Sequence, residues 1–259
     1  MMFSIKNAGF WYNPERVIFG NVTFSLQKGK VLCILGPNGI GKSTLLKCCA
    51  KILPVRTGEV CIDGKAIEHW TRRELAQKIG YVPQAHNIVF PFSVLQLVLL
   101  GRNPHISPYS RPGKRDVEIA EQSLQSVGIE HLKDAPVNRI SGGECQLAMI
   151  ARALTQEPSI LILDEPTNHL DFGNQVKILH ILDKLAKERN ISIIMSTHYP
   201  DHTFLLSCQA GIMKNGFVSL VGQAEEVVTE ETLEDTYQIS IGVHFIKQAN
   251  RNVCVPSYP

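Results

Sequence analysis

The stretch Val22-Thr23-Phe24-Ser25-Leu26-Gln27 alternates apolar and polar side chains, the period of a half-buried strand, and Gly29 turns the chain after it. Val31 to Leu35 is instead a continuous apolar run, the pattern of a strand covered on both faces of a parallel sheet. It leads into a glycine-bearing stretch, Gly36 to Gly41, and then a helical pattern from Lys42 to Ile52 that stops before Pro54. Thr71-Arg72-Arg73-Glu74 and Ser93-Val94-Leu95-Gln96 fit the capping box and predict two short helices, the second ending at Gly101. Between them, Ile79 to Gln84 reads as an exit from the first helix by way of Gly80 and Pro83. Pro104, Pro108 and Pro112 predict a loop over residues 103–113. Val117, Ala120, Leu124 and Val127 recur at helical spacing with Gly128 as C-cap, and Ser141 opens a helix through Leu154. Ile160 to Leu163 and Ile191 to Met195 are two further dense apolar runs, separated by a helix carrying Val176, Leu179, Leu182 and Ala186 on one face. Strands alternating with helices predict an α/β protein with a parallel sheet.

Composition narrows the class. The 259 residues fit one large domain or two of roughly 150 residues. Apolar residues make up 44% and charged residues 19%, which excludes a mainly disordered chain. Lys and Arg total 26 against 24 Asp and Glu, a formal charge of +2, so no nucleic-acid partner is expected. The apolar stretch Ile88 to Leu100 is broken by Pro91, Ser93 and Gln96 and is too short to span a membrane, and no secretory signal is visible at the N-terminus. The seven cysteines (33, 48, 49, 61, 145, 208 and 254) form no C-x-x-C pair and read as reduced thiols of a cytosolic protein, with Cys48 and Cys49 in the core. His198, His202 and Cys208 lie near one another in sequence, but Pro200 interrupts their spacing and no zinc site is expected.

Gly36-Pro37-Asn38-Gly39-Ile40-Gly41-Lys42-Ser43 satisfies G-x-x-x-x-G-K-[ST] between a predicted strand and a predicted helix, the context of a P-loop. Loop N–H groups and the positive helix end cradle anions, Lys42 neutralises β- and γ-phosphate charge, and the Ser43 hydroxyl is a Mg²⁺ ligand. Asp164 and Glu165 end a strand at the edge where parallel sheets bind ligands. Asp164 would hold the Mg²⁺ hydration shell, and Glu165 would polarise the attacking water. Acidic residues also end strands simply by being at the surface, and the P-loop is what favours the functional reading. Ser141-Gly142-Gly143-Glu144 is itself a capping box. Two glycines in a first turn cost about 1 kcal/mol each relative to Ala, which points to close approach of an anion and so to a second phosphate site.

Ile140-Ser141-Gly142-Gly143-Glu144, ahead of Asp164, resembles the signature motif of the ATP-binding cassette (ABC) ATPases. The same resemblance assigns Gln84 to the Q-loop, Asn168-His169-Leu170-Asp171 to the D-loop, His198 to the H-switch and Tyr12 to the aromatic that stacks on adenine. It covers nearly the whole chain. Two departures are Cys145, where a basic or amide residue is more common, and Asn168, where serine is common. Gly101-Arg102-Asn103-Pro104-His105 and Arg111-Pro112-Gly113-Lys114 are similar to the ATPases of importers for iron-siderophore, haem or cobalamin, although a solvated proline-rich loop explains their composition as well.

The resemblance implies a P-loop NTPase fold: a RecA-like parallel core, an N-terminal antiparallel β-subdomain and an inserted α-helical subdomain. Residues 1–259 would form one domain, with 1–88 and 156–259 as the core and 89–155 as the insert. It further implies a head-to-tail homodimer holding two ATP molecules with Mg²⁺. Lys42, Ser43, Gln84, Asp164, Glu165 and His198 of one chain would face Ser141 and Gly143 of the other, and Tyr12, Gly36, Pro37, Asn38, Gly39, Gly41, Thr44, Gly142 and Asp171 would also bind the nucleotide. The metal would be held at Ser43, Gln84 and Asp164, and Lys42, Gln84, Glu165 and His198 would carry catalysis. The implied partners are a membrane permease and, indirectly, a periplasmic or surface substrate-binding protein, which would place the chain peripherally on the cytoplasmic face of the membrane. A soluble ABC ATPase of DNA repair, translation or cofactor assembly is the alternative. A purely regulatory nucleotide-binding module would need a lost catalytic group, and Glu165 and His198 are both present.

Overall fold

The computed structural model describes residues 2–84, 92–107 and 109–257. Among them, β1 (Phe3–Asn13), β2 (Arg16–Leu26), β4 (Thr57–Ile62) and β5 (Lys65–Ala66) form an antiparallel sheet in the order β2-β1-β4-β5. Between β2 and β4 the chain makes β3 (Val31–Leu35) and α1 (Lys42–Cys49). The second sheet contains β6 (Ile79–Val82), β7 (Ile160–Leu163), β8 (Ser192–Thr197), β9 (Gln209–Lys214) and β10 (Phe217–Gln223), in the order β10-β9-β3-β8-β7-β6. All its neighbours are parallel except the β9–β10 hairpin.

Helix α2 (Arg72–Lys78) precedes β6. Helices α3 (Val94–Leu99), α4 (Lys114–Val127) and α5 (Gly142–Leu154) lie between β6 and β7, and α6 (Phe172–Arg189) joins β7 to β8. Thr71 and Ser93 each close both arms of the expected capping box, and Gly128 caps α4 in the left-handed conformation. Leu179, Leu182 and Ala186 of α6 are buried and Val176 is half-buried, so the predicted face packs inward. After β8 come α7 (Asp201–Leu206), α8 (Ala224–Val227), α9 (Glu230–Tyr237) and a hairpin of β11 (Ile241–Ile246) and β12 (Arg251–Pro256).

Three apolar clusters hold these layers together. One joins the parallel sheet to α3–α6 through Val98, Leu124, Leu147, Leu163 and Leu182. A second joins it to the antiparallel sheet through Phe3, Phe10, Phe19, Leu45 and Ile162. A third gathers Leu35, Phe204, Ile212, Leu233 and Ile241. Each fully buried Leu, Ile or Phe contributes roughly 1.5–3 kcal/mol, so the antiparallel sheet and the helical layer are each anchored several-fold over.

Several expectations need correction. Ile79 to Val82 is a strand, its four residues paired in register with Ile160 to Leu163. Gly80 suits the close packing there, since a Cβ would sit 3.1 Å from the Ala153 carbonyl oxygen and from Leu161 Cδ1. The helix from Lys42 stops at Cys49 rather than Ile52, since Lys51 turns left-handed and its ammonium binds the carbonyls of Ile67 and Trp70. The helix from Ser93 ends at Leu99, and a 3-10 turn carries the chain on through Arg102. Residues 103–113 form a loop where described. Pro91, Pro108 and the expected boundary at 88/89 lie outside the described residues. The seven cysteines are free thiols, with Cys48 and Cys49 buried among core residues.

Candidate functional site

Parallel pairing aligns the strand ends, because Leu35 lies opposite Thr197, Val82 opposite Leu163 and Leu163 opposite Met195. The four segments that follow, beginning at Gly36, Pro83, Asp164 and His198, therefore leave the sheet at one edge. A cleft of about 340 Å³ opens there, walled by Asn38, Gly39, Gly41, Lys42, Ser43, Thr44, Gln84 and Glu165.

The loop's conformation follows from its glycines. Gly36, Gly39 and Gly41 all have positive φ, and a Cβ on Gly36 would lie 2.5 Å from the Met213 carbonyl. Helix α1 starts at Gly41 with no side-chain cap and no acidic residue in its first turn. The helices that open at Thr71, Ser93, Ser141 and Asp171 each receive a cap from that side chain. The bare start leaves orphan N–H groups and a positive dipole end beside the cleft, which suits a polyanion.

Lys42 is buried, 4% exposed, and its ammonium binds the carbonyls of Gly36 at 2.8 Å and Pro37 at 2.9 Å. It also pairs with Glu165 Oε1 at 3.1 Å. Glu165, 7% exposed, sits just past β7 at φ 46°, a conformation uncommon for a residue with a Cβ. The Ser196 hydroxyl accepts its N–H at 2.9 Å and donates to Asp164 Oδ1 at 2.8 Å. Ser43 Oγ also donates to Asp164 Oδ1, at 2.9 Å, so a hydroxyl and a carboxylate meet at the helix start. These are hard oxygen donors of the kind Mg²⁺ takes, and the residues present fit that ion and a phosphate chain.

The other oxygen of Glu165 accepts from Gln84 Nε2 at 3.1 Å and from Asn168 Nδ2 at 3.2 Å. Asn168 Oδ1 accepts the His169 N–H at 3.0 Å, which fixes the amide with its NH₂ toward Glu165. The sequence marked Asn168 only as a departure from serine. Its proximity to Glu165, three residues back, is the signal that could have suggested this contact. His198 Nδ1 lies 3.5 Å from Glu165 Oε2 without hydrogen-bond geometry. Its ring packs on Tyr199 with centroids 4.0 Å apart. His202 follows in the first turn of α7, hydrogen-bonded through Nδ1 to Thr197 Oγ1 at 2.9 Å, and burial pushes its pKa down to about 4.

Lys42, Ser43, Gln84, Asp164, Glu165 and His198 thus meet within one chain. Tyr12, Ser141, Gly142, Gly143 and Asp171 are not among the described walls of the cleft. Tyr12 is exposed and stands edge-on to Phe10, with centroids 4.9 Å apart. Ser141 caps α5 in a closed box: its hydroxyl and N–H both donate to Glu144 Oε2, at 2.7 and 2.8 Å. Those two bonds, the N–H foremost, hold the Glu144 carboxyl below its usual range. Gly143 also has a reason inside the chain, because a Cβ there would meet the Asn174 side chain at 2.9 Å. Asp171 caps α6 through the Asn174 N–H at 2.9 Å, and that bond lowers its pKa.

Comparison with known proteins gives the family and the fold. A family description, ABC transporter, matches residues 19–168. The iron(3+)-hydroxamate import ATP-binding protein FhuC of Bacillus subtilis (strain 168) is 35% identical over 252 residues, covering 97% of this chain and 93% of that protein. A solved metal-chelate type ABC transporter in an inward-facing conformation superposes with a TM-score of 0.88 at 31% identity, covering 99% of this chain and 98% of the matched chain. A dimeric ATP-binding cassette in a post-hydrolysis state with ADP and Pi gives a TM-score of 0.74 at 28% identity, covering 86% of this chain and 99% of that one. With the P-loop, the paired carboxylates and His198 on one sheet edge, and family likeness along almost its full length, the chain belongs to the ABC transporter family as an ATP-hydrolysing, ATP-binding subunit.

Proposed function

We propose that this subunit powers import of a metal chelate, of the iron-siderophore, haem or cobalamin type, through a separate membrane permease. The reading places it peripherally on the cytoplasmic face, with a periplasmic or surface substrate-binding protein as an indirect partner. It is supported by the likeness to an iron-hydroxamate importer subunit and a metal-chelate transporter. Among the described residues no helix is long and apolar enough to cross a membrane, so a separate permease would supply the pathway. In this reading residues 1–259 are one domain, with residues 89–155 as its helical insert.

The bare start of α1 inside the cleft carries the mechanistic reading. The main-chain N–H groups of Gly39 to Thr44 bind the phosphates, and Lys42 exchanges Glu165 for phosphate oxygens. Freed on that side, Glu165 stays aimed by Gln84 and Asn168 and takes a proton from the attacking water. Ser43, Asp164 and Gln84 would hold Mg²⁺, which supplies charge neutralisation at the phosphates when bound. His198 contacts the γ-phosphate, and Tyr12 stacks on the adenine. Ser141, Gly142, Gly143 and Asp171 complete the site from a second copy of the chain in a head-to-tail homodimer.

ATPase turnover of Glu165→Gln in detergent-free solution tests the assignment. A fall of about 100-fold or more is expected for loss of a general base. Undiminished turnover contradicts it.

A further inference from the structure

His198 is held in place indirectly. Its Nδ1 is buried, and no hydrogen-bond partner for it exists among the described residues; at 3.5 Å Glu165 attracts it without fixing it. The ring's position therefore depends on the main chain of the turn from Thr197 to Tyr199. One side of that turn is fixed by Thr197 Oγ1, which accepts the Tyr199 N–H at 3.1 Å. The other side is fixed from far along the sequence. Tyr237, the last residue of α9, donates its phenolic O–H to the His198 carbonyl at 3.3 Å.

The phenol thereby ties the end of α9 to the turn bearing His198. Burial pushes its pKa up to about 12, so it keeps its proton and remains a donor at physiological pH. The segment that carries it is seated on the same region twice more. Cys254 of β12 donates its N–H to Asp201 Oδ1 at 3.0 Å, at the start of the helix that follows His198. Leu233 and Ile241 pack in one apolar cluster with Leu35, which ends the strand leading into the P-loop, and Phe204 of α7.

We infer that Tyr237 is a positioning residue for ATP hydrolysis, acting through the main chain of His198, and that the C-terminal segment from α9 through β12 is part of the ATPase site. The inference deepens the functional reading above and rests on its assignment of His198 to the γ-phosphate.

Steady-state ATPase kinetics of the full chain test it. Tyr237→Phe keeps the ring and its packing and removes only the hydroxyl. Loss of one such hydrogen bond in the transition state is expected to lower kcat about fivefold, with KM for ATP within about twofold and the melting temperature nearly unchanged. Introduced into His198→Ala, the same change is expected to produce no additional loss, because both act through one group. Ile62→Val, in β4 of the antiparallel sheet, is the packing control, with a lower melting temperature and turnover within about twofold of the parent well below melting. Parental kcat in Tyr237→Phe, the full loss repeated on top of His198→Ala, or a fivefold loss in Ile62→Val as well would each overturn the inference. Parental turnover in His198→Ala would instead overturn the reading beneath it. An impaired His198→Ala beside a normal Tyr237→Phe would overturn the inference alone.

Discussion

Helix α1 begins at Gly41 with neither a side-chain cap nor an acidic first turn, whereas α5 begins at Ser141 inside a closed capping box with Glu144. Both starts carry the glycines that suggested anion contact. The α1 start opens into a cleft already furnished by its own chain with Lys42, Ser43, Gln84 and Glu165. The α5 start has its cap and third-residue N–H groups satisfied locally, and it brings a carboxylate to the end of the helix where an anion would sit. Glu144 opposes the dipole's attraction there, so the second start is a weak anion site alone. In the function proposed above it gains value only against a phosphate whose charge Lys42 and a metal would already balance, and the two starts would be unequal halves of one site rather than two independent sites.

The largest expected effect that sharpens this comparison comes from Gly142→Asp. A Cβ at Gly142 meets only Leu170 Cδ2, at 3.9 Å, and an acid in the first turn of a helix is tolerated. The substitution is expected to leave the melting temperature near that of the parent while reducing ATPase turnover about tenfold or more, by like-charge repulsion of the phosphate. Equal loss of stability and activity would mean that the α5 start is only a helix cap.

A smaller effect distinguishes the strand-edge half. His202, packed under the His198 turn, has a pKa lowered to about 4 in the folded chain against 6.5 for an ordinary histidine. The unfolded chain then binds more protons between those values, so this group's contribution to stability is complete above pH 6.5 and is lost as pH falls through that window toward 4. Linkage gives a loss of about 2 kcal/mol between pH 7.5 and pH 5. Urea unfolding of the parent and of His202→Asn at both values measures it, and the variant is expected to lose less on acidification. An equal acid loss in both would place the sensitivity elsewhere.

Much of this site was legible in the sequence because its parts are local. The P-loop spacing, the carboxylates after Ile160 to Leu163 and the four-residue capping boxes each occupy one short window. What escaped was tertiary. Strand β6 was hidden by Gly80 and Pro83, which read as breakers until pairing with β7 and the close approach of Ala153 explain the glycine. Gly143 pointed to an anion, yet its neighbour within the chain is Asn174. Asn168 was noticed as a departure, but its hydrogen bond to Glu165 needs the folded turn. Tyr237 carried no signal at all, since it meets His198 only after β9, β10 and α8 bring the chain back.

Mixing two inactive chains tests the central claim most directly. Lys42→Ala removes the strand-edge half and keeps the α5 start, while Gly142→Asp does the reverse. If each site combines the strand edge of one chain with the α5 start of another, a mixed dimer contains one intact site. Equimolar mixing after exchange of chains is then expected to restore roughly a quarter of parental ATPase turnover, because half the dimers are mixed and half their sites are whole. No recovery in a mixture shown to contain mixed dimers would contradict the account and confine the site to a single chain.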